Sequence, residues 1–512
     1  MEIAQLEFLK HLVHFKRNVY LDHNATTPVS SRVQRAMNHA LKHHYGNPSS
    51  FYGVGRKSAE IIEISRKQVA AAIGADPHEI FFTSCATESN NAVLKSLSSH
   101  SYPKKRKVIT TPIEHPSIIN TLQYLQTQGI VVEYCPVDRQ GRVLLAELEQ
   151  MLGDDTFLIC CMLANNEIGT IQDIPAIATI AREHNVLVLS DCVQALGKIP
   201  IDVHAWGIDY ASFSAHKLYG PKGIGALYVR QGSPLEPFVH GGHQESGLRA
   251  GTESLHNIAG FGAACQDVGR LLAEAEKTRA LKSEFIKRLK QAQPDCVINS
   301  PDANCLPNTI SVTFPHVNNA GLLAMLDYHG IAVSAGSACS TGEYGPSHVL
   351  QATGLSAEAA RETIRISLGS GNSARDIRYT VRVLRDYLQG RTPQVNMITP
   401  ALLNEIILFD DNTFILDVRP DNDRKRFQGL PNSHEVPSLW VEQYLDQIPH
   451  DKQILVVCPG GGLSFVVSYY LKAKGFKHVT NLRGGLDGWR KRRSDLYEKY
   501  AGQNVTVLQP GD

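Results

Sequence analysis

The chain has 512 residues and 10 cysteines, and no two of the cysteines stand as a C-x-x-C pair. That absence removes the usual zinc framework and the dithiol redox motif, and nothing in the spacing reads as a set of disulfides. Net charge is nearly absent too, since 51 basic residues face 50 acidic ones. So balanced a chain is not built mainly for nucleic acid. Its densest basic cluster, residues 104–107, is expected in a solvated loop between a helix and a strand. No apolar run approaches membrane-spanning length. Residues 1–16 are amphipathic and carry Glu2 and Glu7, and they lack the basic start, apolar stretch and small-residue cleavage site of a signal peptide. The expectation is a reduced, cytoplasmic protein with neither a membrane nor nucleic acid as direct partner.

What the chain does contain is enough length for two or three packed units, with 43% hydrophobic residues to fill them. One stretch organises the rest. A strand-like run, 209–213, leads into Ser214-Ala215-His216-Lys217, then a loop of Gly and Pro, then a second apolar run, 226–229. A lysine at a strand end beside a hydroxyl and an imidazole suits imine chemistry, with Ser214 and His216 free to donate to a phosphate. Upstream, Phe81-Phe82 enters a loop of small polar residues, 83–91, that opens a helix expected over 92–98. Strand, loop and helix N-terminus make an anion cradle at Ala86 and Thr87. Apolar runs at 108–111, 130–134, 157–163 and 186–189 alternate with helical patterns at 144–152 and 174–184. This alternation predicts an α/β fold with a mostly parallel sheet and a site at the C-terminal strand ends. His115, residues 165–167, Asp191, Gln194 and Lys217 fall there. Cys160 and Cys161 lie in an apolar run and are expected to be buried.

The stretches 20–28, 46–50, 82–91, 114–117, 165–169, 191–194, 214–217, 240–252, 333–340 and 364–369 resemble, in that order, the fold-type I, PLP-dependent cysteine desulfurases of the IscS/NifS group. The resemblance covers residues 18–390, after an N-terminal extension, 1–17. It implies a large, mostly parallel sheet domain with a small α/β subdomain, and pyridoxal 5'-phosphate as cofactor. Lys217 would hold the cofactor as an imine, Asp191 would keep the ring nitrogen protonated, and Gln194 would bond the phenolic oxygen. His115 would stack on the ring and move protons. Ala86, Thr87, Ser214 and His216 would hold the phosphate, joined by Thr252 from a second copy, which implies a homodimer. Asn166 and Arg365 would bind the substrate, L-cysteine. Cys85 departs from the pattern, since many relatives have glycine there. Cys339, in a small, polar, Gly-containing loop, is the implied nucleophile, which takes the substrate's sulfur as a persulfide and leaves alanine. An aminotransferase or a selenocysteine lyase on the same fold is the alternative enzyme, and a PLP-binding scaffold without turnover is the non-enzymatic one.

A boundary is expected near 389–393, with a linker over 391–397. Strand-like runs at 414–418 and 454–457 follow, and the second enters Cys458-Pro459-Gly460-Gly461-Gly462-Leu463-Ser464. Residues 398–492 resemble a rhodanese domain, with a tail, 493–512, beyond it. Two features depart from that family. Leu463 stands where arginine is usual, and residues 429–433 read Gly-Leu-Pro-Asn-Ser. The implied role of Cys458 is to receive sulfur from Cys339 and pass it to an acceptor protein, an iron–sulfur scaffold or a thiolation enzyme. The alternative is a docking module that does no chemistry.

Overall fold

The computed structural model describes residues 18–99, 105–317, 319–335, 346–425, 428–436 and 438–509. Seven strands form the large sheet: β1 (Ile80–Thr83), β2 (Lys107–Thr110), β3 (Val131–Tyr134), β4 (Thr156–Cys160), β5 (Leu187–Asp191), β6 (Tyr210–Ser214) and β7 (Gly225–Val229). Their spatial order is β1-β7-β6-β5-β4-β2-β3. All neighbours are parallel except β7, which runs antiparallel to β1 and to β6. Strands β4, β6 and β7 are buried at every position. A strand covered on both faces needs consecutive apolar residues, which explains the runs that the sequence shows there.

One face packs on helices α1 (Ser31–His43), α2 (Gly53–Ile73), a helix at Ile174–Glu183 and another at Leu255–Cys265, around Val69, Ile159, Ile177, Phe213 and Phe261. The other face packs on α3 (Ala86–Ser98) and α4 (Pro116–Gln126), around Val93, Leu122, Leu158 and Leu189. Local signals place several boundaries. Ser30 caps α1 through the Val33 amide, and Gly74 ends α2 in the left-handed region. Helix α3 begins six residues before the expected 92. Its Ser, Thr and Asn residues look like a loop in sequence, but Ser89 and Asn90 are buried and bonded to other segments, so packing overrides local propensity. Of the basic cluster, Lys107 is not loop. It opens β2, with its ammonium between Glu133 and Asp155.

The small subdomain is an antiparallel sheet of β8 (Val297–Ile298), β9 (Thr309–Thr313), β10 (Ser334–Ala335) and β11 (Thr363–Ser367), in the order β10-β11-β9-β8. Helices α5 (Val268–Ala292), α6 (Asn319–Tyr328) and α7 (Ala374–Leu388) cover it through Phe285, Leu322, Met325, Ile377 and Leu384. The strand Val19–Tyr20 pairs in parallel with Ile331–Ala332, which ties the N-terminal segment to this subdomain.

The C-terminal unit is a six-stranded parallel sheet: β12 (Asn396–Ile398), β13 (Thr413–Asp417), β14 (Ser433–Glu435), β15 (Gln453–Val457), β16 (Val479–Leu482) and β17 (Thr506–Val507). Their order is β12-β16-β15-β13-β14-β17. Both edge strands come largely from stretches that sequence reading left outside the domain. β12 runs from the expected linker into the first residue of the expected domain, and β17 lies in the expected tail. Both are three residues or fewer and exposed or half-buried, so their periodicity is too short to read. Helix α8 (Gly462–Ala473) is apolar at most positions because it is buried on two sides. Val467 and Leu471 face the rhodanese-like core, while Phe465 and Tyr469 enter the core of the small subdomain. A Cβ on Gly321 of α6 would stand 2.9 Å from the Phe465 ring, so this close approach depends on glycine. Tyr469 meets Tyr328 edge to face at 4.8 Å. Among the described residues, no helix is long and apolar enough to cross a membrane.

Candidate active site

The site lies at the C-terminal ends of β5 and β6, where the parallel topology directs it. Lys217 closes a single 3-10 turn, Ala215–Lys217, immediately after β6. Its Nζ donates to the main-chain oxygens of Asn24 (2.5 Å) and Ala25 (2.6 Å). Asp191, the last residue of β5, is buried. Its Oδ1 accepts from the Val193 amide (3.0 Å) and its Oδ2 from Asn90 Nδ2 (3.2 Å). Asn90 also donates to Ser117 Oγ (2.9 Å), which lies 2.9 Å from His115 Nδ1. His115 caps α4 by accepting from the Ser117 amide (3.1 Å). With Nδ1 an acceptor, the proton of the neutral ring sits on Nε2. Burial lowers the pKa of His115, and Lys217 and His348 lower it further, against Asp191, so the ring is held neutral.

The N-terminal segment threads through the same place. Asn24 is buried, its main-chain amide donates to Ser367 Oγ (2.9 Å), and its other polar atoms are all engaged. Its Nδ2 donates to the Asn166 main-chain oxygen (3.1 Å) and Thr309 Oγ1 (2.8 Å). Its Oδ1 accepts from Lys198 (3.1 Å) and Asn308 (3.0 Å), and its main-chain oxygen accepts from Gln194 Nε2 (2.9 Å). Arg365, on β11, pairs with Asp22 (2.9 Å) and donates to the Asn166 main-chain oxygen (3.2 Å). Ser334 donates to the second Asp22 oxygen (3.1 Å). The structure therefore brings together Lys217, His115, Asp191, Gln194, Asn166 and Arg365. Asn24, Asn90, Ser117 and Lys198, which join them, were not singled out from sequence. All but Lys198 stand inside stretches that carry the family resemblance, but a buried amide is recognisable as a connector only once its partners are placed.

The residues fit a phosphate-bearing cofactor. The N-cap of α3, Cys85, makes no side-chain bond to the first helical amides, so those of Ala86 and Thr87 are open to an anion. Cys85 has φ −175°, an extended conformation that admits a side chain in place of glycine. A Cβ on Gly225 would lie 2.8 Å from the Cys85 main-chain carbon, so β7 closes the floor of this cradle. Ser214 is buried at the end of β6, and His216 Nδ1 lies 3.2 Å from Thr26 Oγ1. Burial, with the charges of Lys217 and Lys222, lowers the pKa of His216 to about 4, an effect that a neighbouring phosphate opposes. Thr252 is exposed in the single chain, between β7 and the helix Leu255–Cys265. Cys339 lies outside the described residues. Cys160, Cys161 and Cys192 are buried thiols whose pKa values burial raises, so they are not thiolates.

In the C-terminal unit, Cys458 follows β15. Its Sγ accepts from the Gly461 amide (3.1 Å), the Ser464 amide (3.2 Å) and Ser464 Oγ (3.2 Å). Ser464 Oγ also lies 2.6 Å from Asn481 Oδ1. Leu463 packs against the core of this unit and gives the loop no charge. In the altered stretch, Asn432 takes φ 55° where glycine is usual, a conformation asparagine tolerates, and the strand β14 begins on schedule. A buried pair, Asp417 with Arg419 (2.7 Å), supports the strand beside Cys458, and Arg419 also reaches Glu435.

Residues 19–379 match the aminotransferase class-V family and residues 399–492 match the rhodanese-like domain. The chain is 42% identical over 375 residues to "Cysteine desulfurase IscS" of Dictyoglomus turgidum, which covers 73% of this chain and 95% of that protein. It is 40% identical over 383 residues to "Cysteine desulfurase IscS" of Methanosarcina thermophila, covering 75% and 94%. A solved structure described as "NIFS-LIKE PROTEIN" superposes with a TM-score of 0.69 at 41% identity, over 73% of this chain and 100% of that one. "SspA in complex with cysteine" superposes with a TM-score of 0.62 at 38% identity, over 69% and 99%.

Proposed function

The chain belongs to the class-V aminotransferase family, among its PLP-dependent cysteine desulfurases, and we propose from that premise that it passes sulfur from L-cysteine to Cys339 and then to Cys458 of its own rhodanese-like domain. PLP supplies an electron sink for charge developed at the substrate's Cα and Cβ. Lys217 is assigned as the lysine that holds it and, once displaced by the substrate amine, as the base for the Cα proton. The Asn24 and Ala25 carbonyls keep that amine at the strand end. Ala86, Thr87, Ser214 and His216 are assigned to the phosphate. Thr252 is assigned to the phosphate of a second copy, which makes the working unit a homodimer. Asp191 is assigned to the ring nitrogen and Gln194 to the phenolic oxygen. His115 is assigned to stack on the ring and to move a proton through Nε2. Asn166 and Arg365 are assigned to the substrate, whose carboxylate shares the guanidinium with Asp22.

The reaction balances without an outside oxidant. L-cysteine and the Cys339 thiol become L-alanine and a Cys339 persulfide; the Cβ–S bond breaks and one S–S bond forms. A second exchange moves the outer sulfur to Cys458 and restores the Cys339 thiol. The observation that carries this relay is the convergence of three donors on Cys458 Sγ, on a helix whose next residue, Phe465, is buried in the desulfurase domain. Such a cradle stabilises a thiolate or a persulfide anion. The final acceptor is then a protein that takes persulfide sulfur, an iron–sulfur scaffold or a thiolation enzyme, and the setting is the cytoplasm. Thiosulfate is a poor donor, because Leu463 leaves no fixed charge for a dianion. The test is sulfur-labelled cysteine. Label should reach Cys339 and then Cys458. Cys339→Ser should abolish both labels, and Cys458→Ser should leave the first. An unlabelled Cys458 beside a persulfidated Cys339 would reduce the C-terminal unit to a docking module.

A further inference from the structure

Behind Lys217 lies a second lysine with no assigned role. Lys198 follows β5 in the turn that carries Gln194, and its Nζ donates to Gln194 Oε1 (2.7 Å) and Asn24 Oδ1 (3.1 Å). An ammonium only donates, so both amide oxygens must face it. The amide nitrogens must then face away, Gln194 Nε2 to the Asn24 carbonyl and Asn24 Nδ2 to Asn166 and Thr309. The Asn24 carbonyl that receives Gln194 is also the one that holds Lys217 Nζ. Lys198 and Lys217 thus grip one residue from opposite ends, and both line a partly open cavity of about 40 Å³ with His23, Thr27, Tyr219 and Asn308. That volume admits a few waters and no substrate.

We propose that Lys198 is a positioning residue for Lys217: it fixes the Asn24 and Gln194 amides that seat the Lys217 amine, and its charge makes that amine easier to deprotonate. The inference rests on Lys217 being the lysine that holds the cofactor. The donor-only chemistry of an ammonium gives the first half, and the shared Asn24 gives the second, because two cations on one residue repel. Burial, Lys217 and Arg365 lower the pKa of Lys198 well below that of a free lysine, and the amide oxygens of Gln194 and Asn24 work against that shift by favouring the ammonium. Among the described residues, the other titratable or charged groups around the pair are Asp22 and His23 on the N-terminal segment, His115 before α4, Asp191 on β5, His216 and Tyr219 after β6, Glu274 on α5 across the cavity and Arg365 on β11.

The test reads the amine directly. Apoprotein is labelled with an amine-acylating reagent across a pH series, and the midpoint of modification at each lysine is mapped by mass spectrometry. In the wild type, Lys217 should titrate at least about one pH unit below the exposed Lys222. Lys198→Met should raise the Lys217 midpoint by about one unit, and Lys198→Arg, which keeps the charge, should restore most of the shift. In the holoenzyme the pH midpoint of the cofactor's visible band should move the same way. A wild-type Lys217 that titrates with Lys222, or a folded Lys198→Met protein with an unmoved midpoint, would overturn the proposal. The wild-type arm decides even where the variant does not fold. Borohydride reduction of the holoenzyme separates this failure from that of the underlying reading, since a pyridoxyl group mapped to Lys198 rather than Lys217 would remove the premise itself.

Discussion

The two centres proposed to carry the sulfur chemistry are built in opposite ways. The Lys217 site is collected from segments far apart in sequence, and its Arg365–Asp22 pair spans 343 positions. It consists of side chains that hold one another through amides and buried charges. The Cys458 site is almost all local. Its donors come from Gly461 and Ser464, three and six residues on, and two of the three are main-chain amides. The first centre exists only when the whole domain is folded, whereas the second needs one strand, one loop and one helix start. Single side chains should therefore matter greatly at Lys217 and little at Cys458.

The largest effect expected is at the first centre. Lys217→Ala removes the residue assigned as base, and loss of a positioned base alone costs about 10²–10⁴-fold. Alanine formation should fall at least that far, while the variant still binds PLP non-covalently. Borohydride reduction followed by peptide mapping checks the assignment, and a pyridoxyl group found elsewhere would break the contrast at its root.

Next in size is the contact that joins the two centres. Phe465 is 1% exposed inside the small subdomain's core, beside Gly321. Truncating a buried aromatic side chain costs about 3–5 kcal/mol. Phe465→Ala should therefore loosen α8 from α6. Label from cysteine should accumulate on Cys339 and reach Cys458 more slowly, with alanine formation on the first turnover unchanged. Equal relay rates in the two proteins would mean that docking does not govern transfer.

The same contrast decides what could be read without coordinates. The strand that leads to Lys217, the helix start at Ala86 and Thr87 and the cysteine loop at Cys458 were legible because each is a short pattern of strand, small residues and turn. The central strands were legible because burial on both faces demands unbroken apolar runs. The start of α3 was not, since Ser89 and Asn90 are helical only by virtue of partners in other segments. The edge strands at Asn396–Ile398 and Thr506–Val507 were not, because two or three half-exposed residues carry no periodicity. Asn24 and Lys198 were invisible for a further reason. Their significance is a geometry of shared acceptors, and neither residue type announces that from sequence.

Acidification should separate the two domains by a smaller margin. His23 and His216 both belong to the desulfurase domain, and burial, with the nearby cations Lys198 for His23 and Lys217 for His216, lowers each pKa to about 4. The unfolded chain takes up these protons below pH 6.5, whereas the folded apoprotein takes them up only near 4. Their stabilisation is therefore complete above pH 6.5 and is lost as the pH falls toward 4, on the order of 3 kcal/mol for each group. In the rhodanese-like unit, His434 is shifted in the same direction by burial but is less enclosed. Hydrogen exchange of the apoprotein between pH 7 and 5 should show protection falling first in the segments around His23 and His216. Added PLP should reduce the loss, because its phosphate favours protonated His216.

The smallest effect expected is at Ser464, and it tests the contrast from the other side. Its hydroxyl is one of three donors on Cys458 Sγ, and it is shared with Asn481 Oδ1. A hydroxyl has one proton, so its contribution to the sulfur is partial even in the native protein. Ser464→Ala leaves both main-chain amides in place, and a lost hydrogen bond of this kind costs about 0.5–1.5 kcal/mol. Alkylation of Cys458 at a fixed pH should slow by about tenfold at most, since about 1.4 kcal/mol corresponds to a factor of ten. The relay rate at pH 7 should fall by less than about tenfold, with alanine formation unchanged. The rate of iodoacetamide alkylation gives the first quantity, and label transfer gives the second. A loss near that expected for Lys217→Ala would show that the cradle depends on a side chain after all, and that the local centre is no less cooperative than the distributed one.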